Sequence, residues 1–391
     1  LIAALLQPDV QDFINQNYLA DLKKLALRRN PFPEISWPDL LNQLQAKSKA
    51  KDKLPTWFSA KNIIYPQKIS IEQTSSEQTA AYKATLIQGN TLIDLTGGFG
   101  IDDYYFAQHF KQVTHCEINP ELSEIVAHNY TQLNIKNIDC QQGDSHAIIQ
   151  KLNTRWDWMY IDPSRRNDAK GKVFMLRDCL PNVPDSLTFY FQYSDHILIK
   201  TAPLLDIKAG LSELRFVRKI HVIALDNEVK ELLWEIEKDY TGPIEIHAVA
   251  LSKDRETVFS TIYDQSMPAT YSMPTHYLYE PNSAILKTGA FDAVSAIYKI
   301  GKLHPHSHLY TSDAPLDFPG RRFRIEMVIP YQKTEIKNHI EGKQLNITTR
   351  NFPLSVEELR KKWKLKDGGN AYCFFTTNID NEKIIVICSK I

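Results

Sequence analysis

The sequence predicts an α/β fold: a doubly wound open sheet, preceded by a helical module and followed by a smaller α+β domain. Three observations carry this. Short β-branched runs alternate with helical patterns over about 160 residues, which argues for a mostly parallel sheet. A glycine cluster, Gly97, Gly98 and Gly100, stands between the first strand and the next helix. Four successive strands are each closed or followed by an acid, Asp94, Glu117, Asp144 and Asp162, at the edge where open sheets bind ligands. The expected boundaries are a helical module over 1–88, a sheet domain over 89–252 and an α+β region over 253–391.

Composition narrows the function classes. The 46 basic and 46 acidic side chains cancel, so any attraction to nucleic acid must come from a local patch. The five cysteines form no C-x-x-C pair and read as buried thiols in a reducing compartment, so the cytoplasm is the expected location. No apolar run approaches the roughly 18 residues of a spanning helix, so no membrane role is expected.

In chain order, Val10, Phe13, Ile14, Tyr18, Leu22 and Leu25 recur at mostly three- and four-residue steps, the mark of one buried helix face. Pro31-Phe-Pro33 ends that block, and Trp37-Pro38-Asp39 opens another helix. The lysines between Lys47 and Lys53 read as a solvated helix end, with an RNA contact as the alternative. Glu72 to Gln88 holds a further helix, capped by Ser75 or Ser76, with Ala80, Ala84 and Ile87 on its apolar side.

The stretch Thr91 to Gly100 then reads as strand, tight turn and helix start, where a ligand can approach bare backbone. Two cofactors compete for such a turn. A dinucleotide wants a third glycine where this chain has Asp103, and that carboxylate beside Asp94 is expected to repel a pyrophosphate. S-adenosylmethionine, a zwitterion with a sulfonium, suits an acid-lined site better. Glu117 closes the strand Val113–Glu117, 23 residues past Asp94, near the spacing at which an acid meets a ribose. Further strands are expected at 135–140, 156–161, 196–200, 220–225 and 244–251, seven in all, with helices at 205–214 and 227–237.

Beyond residue 252, prolines and tyrosines interrupt the alternation, and a helix is expected over 284–300. His304-Pro-His306-Ser-His308 alternates along one face, yet no carboxylate or cysteine completes a ligand spacing, so no metal is expected. The run Lys343 to Lys366 holds seven basic residues against two glutamates and includes a helix that starts at Ser355 with a capping box to Glu358, the run being closed by Asp367-Gly-Gly369. This patch reads either as a solvated face or as an RNA footprint.

On Asp94-Leu-Thr-Gly-Gly-Phe-Gly100, Glu117, Asp144 and Asp162-Pro163, the chain resembles the class I S-adenosylmethionine-dependent methyltransferases, with their Rossmann-like sheet. Lys53-Leu-Pro-Thr-Trp57, Glu77-Gln-Thr-Ala-Ala-Tyr-Lys83, Phe318-Pro-Gly-Arg321 and Arg350-Asn-Phe-Pro353 narrow the likeness to bacterial members with a THUMP-like C-terminal domain. The resemblance implies S-adenosylmethionine contacts from Gln78, Thr79, Asp94, Thr96, Gly97, Gly98, Gly100, Glu117, Ile118, Asp144, Ser145 and Asp162. It implies that Asp162, Pro163, Ser164 and Arg165 form the catalytic loop. Where many amino-methyltransferases carry a second proline and an aromatic, this chain has Ser164 and Arg165, which argues against base stacking by a ring there; a guanidinium from Arg165 or Arg166 is expected instead either to stack on a base or to clamp a phosphate. Arg165, Arg166, Lys170, Lys172 and Arg177 make the loop basic, which favours an anionic substrate. Methylation of RNA is the leading expectation, with no DNA expected. Methylation of a protein or small molecule, and a non-catalytic RNA-binding role, stand as alternatives.

Overall fold

The computed structural model describes residues 2–66, 71, 74–165 and 175–391. A large sheet contains β1 (Gly89–Asp94), β2 (Phe110–Glu117), β3 (Ile138–Gln142), β4 (Trp158–Ile161), β5 (His196–Thr201), β6 (Val217–Leu225), β7 (Glu228–Glu237), β8 (Glu245–Leu251) and β9 (Glu256–Ile262). Its order is β9-β8-β6-β7-β5-β4-β1-β2-β3. Nine strands thus replace the seven expected. The five strands β5-β4-β1-β2-β3 pair in parallel, the step from β4 to β1 being a crossover between strands that are not consecutive, and β8 pairs in parallel with β6 and antiparallel with β9.

One added strand corrects an expectation: Glu228–Glu237 is β7, not a helix. Asp226 and Asn227 both hold positive φ, 50° and 63°, the conformation of a two-residue hairpin turn. From Glu231 to Glu235 every residue is buried, so the strand is covered on both faces and shows no period of two.

The chain divides into two compact units, Leu1–Arg218 with Leu233–Thr241, and Lys219–Leu232 with Gly242–Ile391. In the first, the helix Trp37–Lys53 starts at Ser36, whose hydroxyl accepts from the Asp39 amide, with a proline in its first turn. It buries Leu40, Leu44, Ala46 and Ala50, which join Trp57, Phe99, Ile101, Val126 and Tyr130 in one core. The glycine turn is therefore backed by the N-terminal helices. Lys47 departs from the solvated reading, because it is buried with its ammonium 5.2 Å from the Phe58 ring centre.

The second unit contains a seven-stranded sheet of β10 (Tyr277–Pro281), β11 (Gly301–Lys302), β12 (Tyr310–Ser312), β13 (Gly320–Pro330), β14 (Asn346–Thr349), β15 (Ala371–Thr377) and β16 (Lys383–Lys390), ordered β11-β12-β10-β13-β16-β15-β14. The helix expected over 284–300 is two helices, Ser283–Thr288 and Phe291–Tyr298, parted at Gly289. The capping box of Ser355 and Glu358 is formed, and the helix stops at Trp363, with Lys364 in the left-handed region, ahead of Asp367-Gly-Gly369.

Candidate active site

Strand β1 aligns Asp94 with His115 on β2 and Tyr160 on β4, so three side chains stand level at the carboxyl edge. The turn that follows is tied to both neighbours: Leu95 N–H donates to the Tyr160 carbonyl and Gly97 N–H to that of Cys116, at 3.0 and 2.8 Å. Asp94, only 2% exposed, accepts from the Thr96 amide at 2.7 Å and its hydroxyl at 3.0 Å. Thr96 Oγ1 in turn accepts the Asp162 amide at 2.7 Å, which fixes the start of the fourth-strand loop against the turn.

Glu117 accepts Gly98 N–H at 3.0 Å through one oxygen and Asn119 N–H at 2.7 Å through the other. Each carboxylate oxygen keeps a lone pair for a further donor. Ile118 beside it is 69% exposed, a large apolar side chain left at the surface next to the Glu117 carboxylate. Asp144 caps the helix Ser145–Leu152 by accepting from Ala147 N–H, so its carboxylate stands at that helix start next to Ser145. Gly143 N–H donates to the Glu117 carbonyl and joins the two strand ends.

Beneath the turn the sequence reading needs correction. Asp103 does not face a ligand: it is fully buried and its carboxyl lies 2.7 Å from His115 Nδ1. Burial first, then repulsion from Asp102, pushes the Asp103 carboxyl well up. Burial and then Asp103 do the same to Asp94, and burial pulls the His115 imidazole down. Asp103 therefore supports the ring that packs under Gly97 and contributes little negative potential to the crevice. An alanine Cβ at Gly97 would lie 2.1 Å from that ring.

A second polar cluster was not foreseen as a unit. Asp102 accepts from Lys83 Nζ at 2.9 Å, Tyr160 Oη at 2.7 Å and Ser75 Oγ at 3.1 Å. Lys200 Nζ sits 2.5 Å from Asp162 Oδ2, 3.3 Å from Ser75 Oγ and 3.9 Å from Asp102. Lys83, Asp102, Lys200 and Asp162 thus alternate in sign. Burial alone would raise the Asp102 carboxyl, but Lys83 and Lys200 outweigh it and hold it well below the usual range. The signal was present in the sequence: Lys83 falls on the apolar side of its helix, three residues after Ala80, and a lysine there needs a partner. Ser76, not Ser75, caps that helix, leaving Ser75 to the cluster.

Of the other expected residues, Gln78 is exposed, whereas Thr79 is buried with its hydroxyl donating to the Ser76 carbonyl. Pro163 is buried, and Ser164–Arg165 forms a short antiparallel ribbon with Cys179–Leu180. Arg166, Lys170 and Lys172 lie outside the described residues. Arg177 is 62% exposed, with its guanidinium 3.9 Å from Glu213. Glu77 joins two of the resembling segments, accepting from Thr56 N–H and Oγ1 and from Tyr105 Oη. His304 is held by Asn381 and Asn351, and no group of three metal-ligating side chains occurs among the described residues. No helix among them is long and apolar enough to cross a membrane.

Comparison with known proteins gives the following. Residues 320–390 match the family described as THUMP domain-like, and 277–319 the one described as a ferredoxin-like domain. No curated protein matches the chain. The crystal structure of a candidate methyltransferase from Porphyromonas gingivalis W83 is 31% identical over 97% of both chains, with a TM-score of 0.85. M. capricolum TrmK, solved with S-adenosyl-homocysteine, matches 41% of this chain and 68% of its own at 16% identity and a TM-score of 0.32. A Streptococcus thermophilus rRNA methylase matches 41% and 94% at 14% identity and a TM-score of 0.30. With near-complete coverage by the P. gingivalis protein and a THUMP-like match at the end, the chain belongs to the bacterial class I methyltransferases that carry a THUMP-like C-terminal domain.

Proposed function

We propose that this protein is an S-adenosylmethionine-dependent methyltransferase that modifies a nucleobase in RNA. The observation that carries the cofactor is the crevice at the end of β1 and β2, where Gly98 N–H and the Glu117 carboxylate meet beside exposed Ile118. A cation with a ribose and an apolar base fits that set: Glu117 takes the ribose hydroxyls, Ile118 the base face, and Asp144 with Ser145 the base edge. Asp94, Thr96, Gly97 and Gly100 shape the turn, with Gln78 and Thr79 at the amino-acid end. Bound there, S-adenosylmethionine supplies a methyl group activated by its sulfonium.

The chain's own work is then alignment and proton handling. Asp162 is held by the Thr96 hydroxyl through its backbone and by Lys200 through its carboxylate, so its free lone pairs have a fixed direction. It orients an attacking amine and accepts its proton. Pro163, Ser164 and Arg165 complete the loop. The THUMP-like region and the seven basic residues between Lys343 and Lys366 support RNA as the substrate. Domains 1–88, 89–252 and 253–391 belong to the same reading, with chemistry in the middle one. Five free cysteines fit a reducing cytoplasm.

Transfer of a tritiated methyl from S-adenosylmethionine to total cellular RNA, run beside total protein, tests this. Label in RNA, lost in Asp162→Ala, is expected. Label in protein alone removes the RNA assignment, and no label in either pool removes the enzyme.

A further inference from the structure

The second unit has a cleft of about 430 Å³ whose lining includes Glu280, Arg321, Thr348, Thr349 and Arg350. Its construction starts at the β10–β13 pairing, which sets Glu280 opposite Arg321 and Pro281 opposite Gly320. A Cβ at Gly320 would stand 2.1 Å from the Glu280 carbonyl oxygen, so the two strands reach this register only with glycine there. The Arg321 guanidinium forks onto the Glu280 carboxylate, donates to Thr348 Oγ1 at 3.2 Å and lies 5.6 and 5.7 Å from the Phe323 and Phe374 ring centres.

Arg350, just past β14, donates to Glu280 Oε1 through Nε at 3.1 Å and Nη2 at 2.8 Å. Asn351, at φ 49°, turns the chain, and its carbonyl accepts the Thr377 hydroxyl. The segments Phe318-Pro-Gly-Arg321 and Arg350-Asn-Phe-Pro353, 29 residues apart at their arginines (350 minus 321), therefore deliver two guanidiniums to one carboxylate.

One carboxylate neutralises one guanidinium. The Glu280 side chain is 5% exposed and the two arginines 36% and 34%, and the lining carries no other charged side chain. The cleft wall thus has a net charge of plus one. Both guanidiniums are held in place before any ligand arrives, and the Nη1 groups stand outside the bonds described. Fixed, partly exposed guanidiniums that keep Nη1–H groups to donate, beside threonine hydroxyls, match the oxygens of a phosphate ester.

We propose that this cleft binds a phosphate ester and, resting on the reading of the substrate as RNA, that it seats a backbone phosphate of that RNA. The test is filter binding of a mixed-sequence single-stranded oligoribonucleotide to the full chain over a range of salt, with calorimetry of adenosine 5′-monophosphate beside it. Arg350→Gln is expected to weaken RNA binding about tenfold and to lower the slope of log affinity against log salt by about 0.7, the value for one lost phosphate contact on a single strand. Arg350→Lys keeps the charge and should keep the slope. Should Arg350→Gln not fold, Thr349→Glu, at a residue in neither ion pair, puts a negative charge on the wall and should give the same loss. Wild-type binding matched in slope and affinity by Arg350→Gln and Thr349→Glu overturns the site and leaves the RNA reading intact. Absence of RNA binding with monophosphate binding that Arg350→Gln abolishes keeps the site and overturns RNA as its source; absence of both overturns the two together.

Discussion

At the scale of single residues, the glycine turn is constrained from below as much as from the ligand side. Gly97 has the His115 ring where a side chain would go. Gly97→Ala is expected to cost roughly 1–3 kcal/mol by overpacking, read from urea unfolding, and to weaken cofactor binding at the same time. Asp102 makes a different prediction. Its ion pairs hold its folded-state pKa below the unfolded value, so its stabilisation is present above the unfolded pKa of about 3.9 and is lost as pH falls through the range beneath. Asp102→Asn should therefore destabilise by about 3 kcal/mol at pH 7, as when one partner of a buried pair is removed. The difference from wild type should begin to shrink below about pH 5 and go on shrinking as pH falls past about 3.9 toward the depressed folded-state pKa, read in urea melts. A pH-independent difference would mean that the lost contacts are steric and not ionic.

At the scale of elements, what was legible depended on whether one face met water. The helix at Ser355 announced itself through its capping residues, and Ser355→Ala is expected to lose about 1 kcal/mol, measured by thermal unfolding. β7 was not legible as a strand, because Glu228 to Glu237 is rich in Glu, Lys and Leu, good helix formers, and its centre is covered on both faces. The usable signal was the Asp226-Asn227 pair, whose positive φ values make a two-residue turn. Both Asn227→Val and Asn227→Gly lose the hydrogen bond that the Asn227 side chain accepts from Ser283 N–H, but only Asn227→Val adds about 1–2 kcal/mol for the strain of a left-handed β-branched residue, so it should be the less stable of the two. Equal unfolding midpoints for the two would contradict the turn's role.

At the scale of the whole molecule, the strand-end acids were legible from sequence because each closes or follows a short strand. Their environments were not. Asp103 looked like a charge facing the ligand and is a buried support for His115, and burial pushes the Asp94 carboxyl up in the same way, so the preference for a sulfonium over a pyrophosphate rests on Glu117. Lys83, Asp102 and Lys200 come from three different elements, and only the fold brings them to Asp162. The Glu280 cleft likewise gathers segments that the sequence keeps apart. The most direct measurement is calorimetric titration of the purified chain with S-adenosylmethionine and, separately, with an adenine dinucleotide. One equivalent of S-adenosylmethionine should bind, at least tenfold more weakly in Glu117→Ala, a loss of about 1.4 kcal/mol, with no heat from the dinucleotide. Dinucleotide binding in its place, or an affinity for S-adenosylmethionine indifferent to Glu117, would contradict the crevice described here.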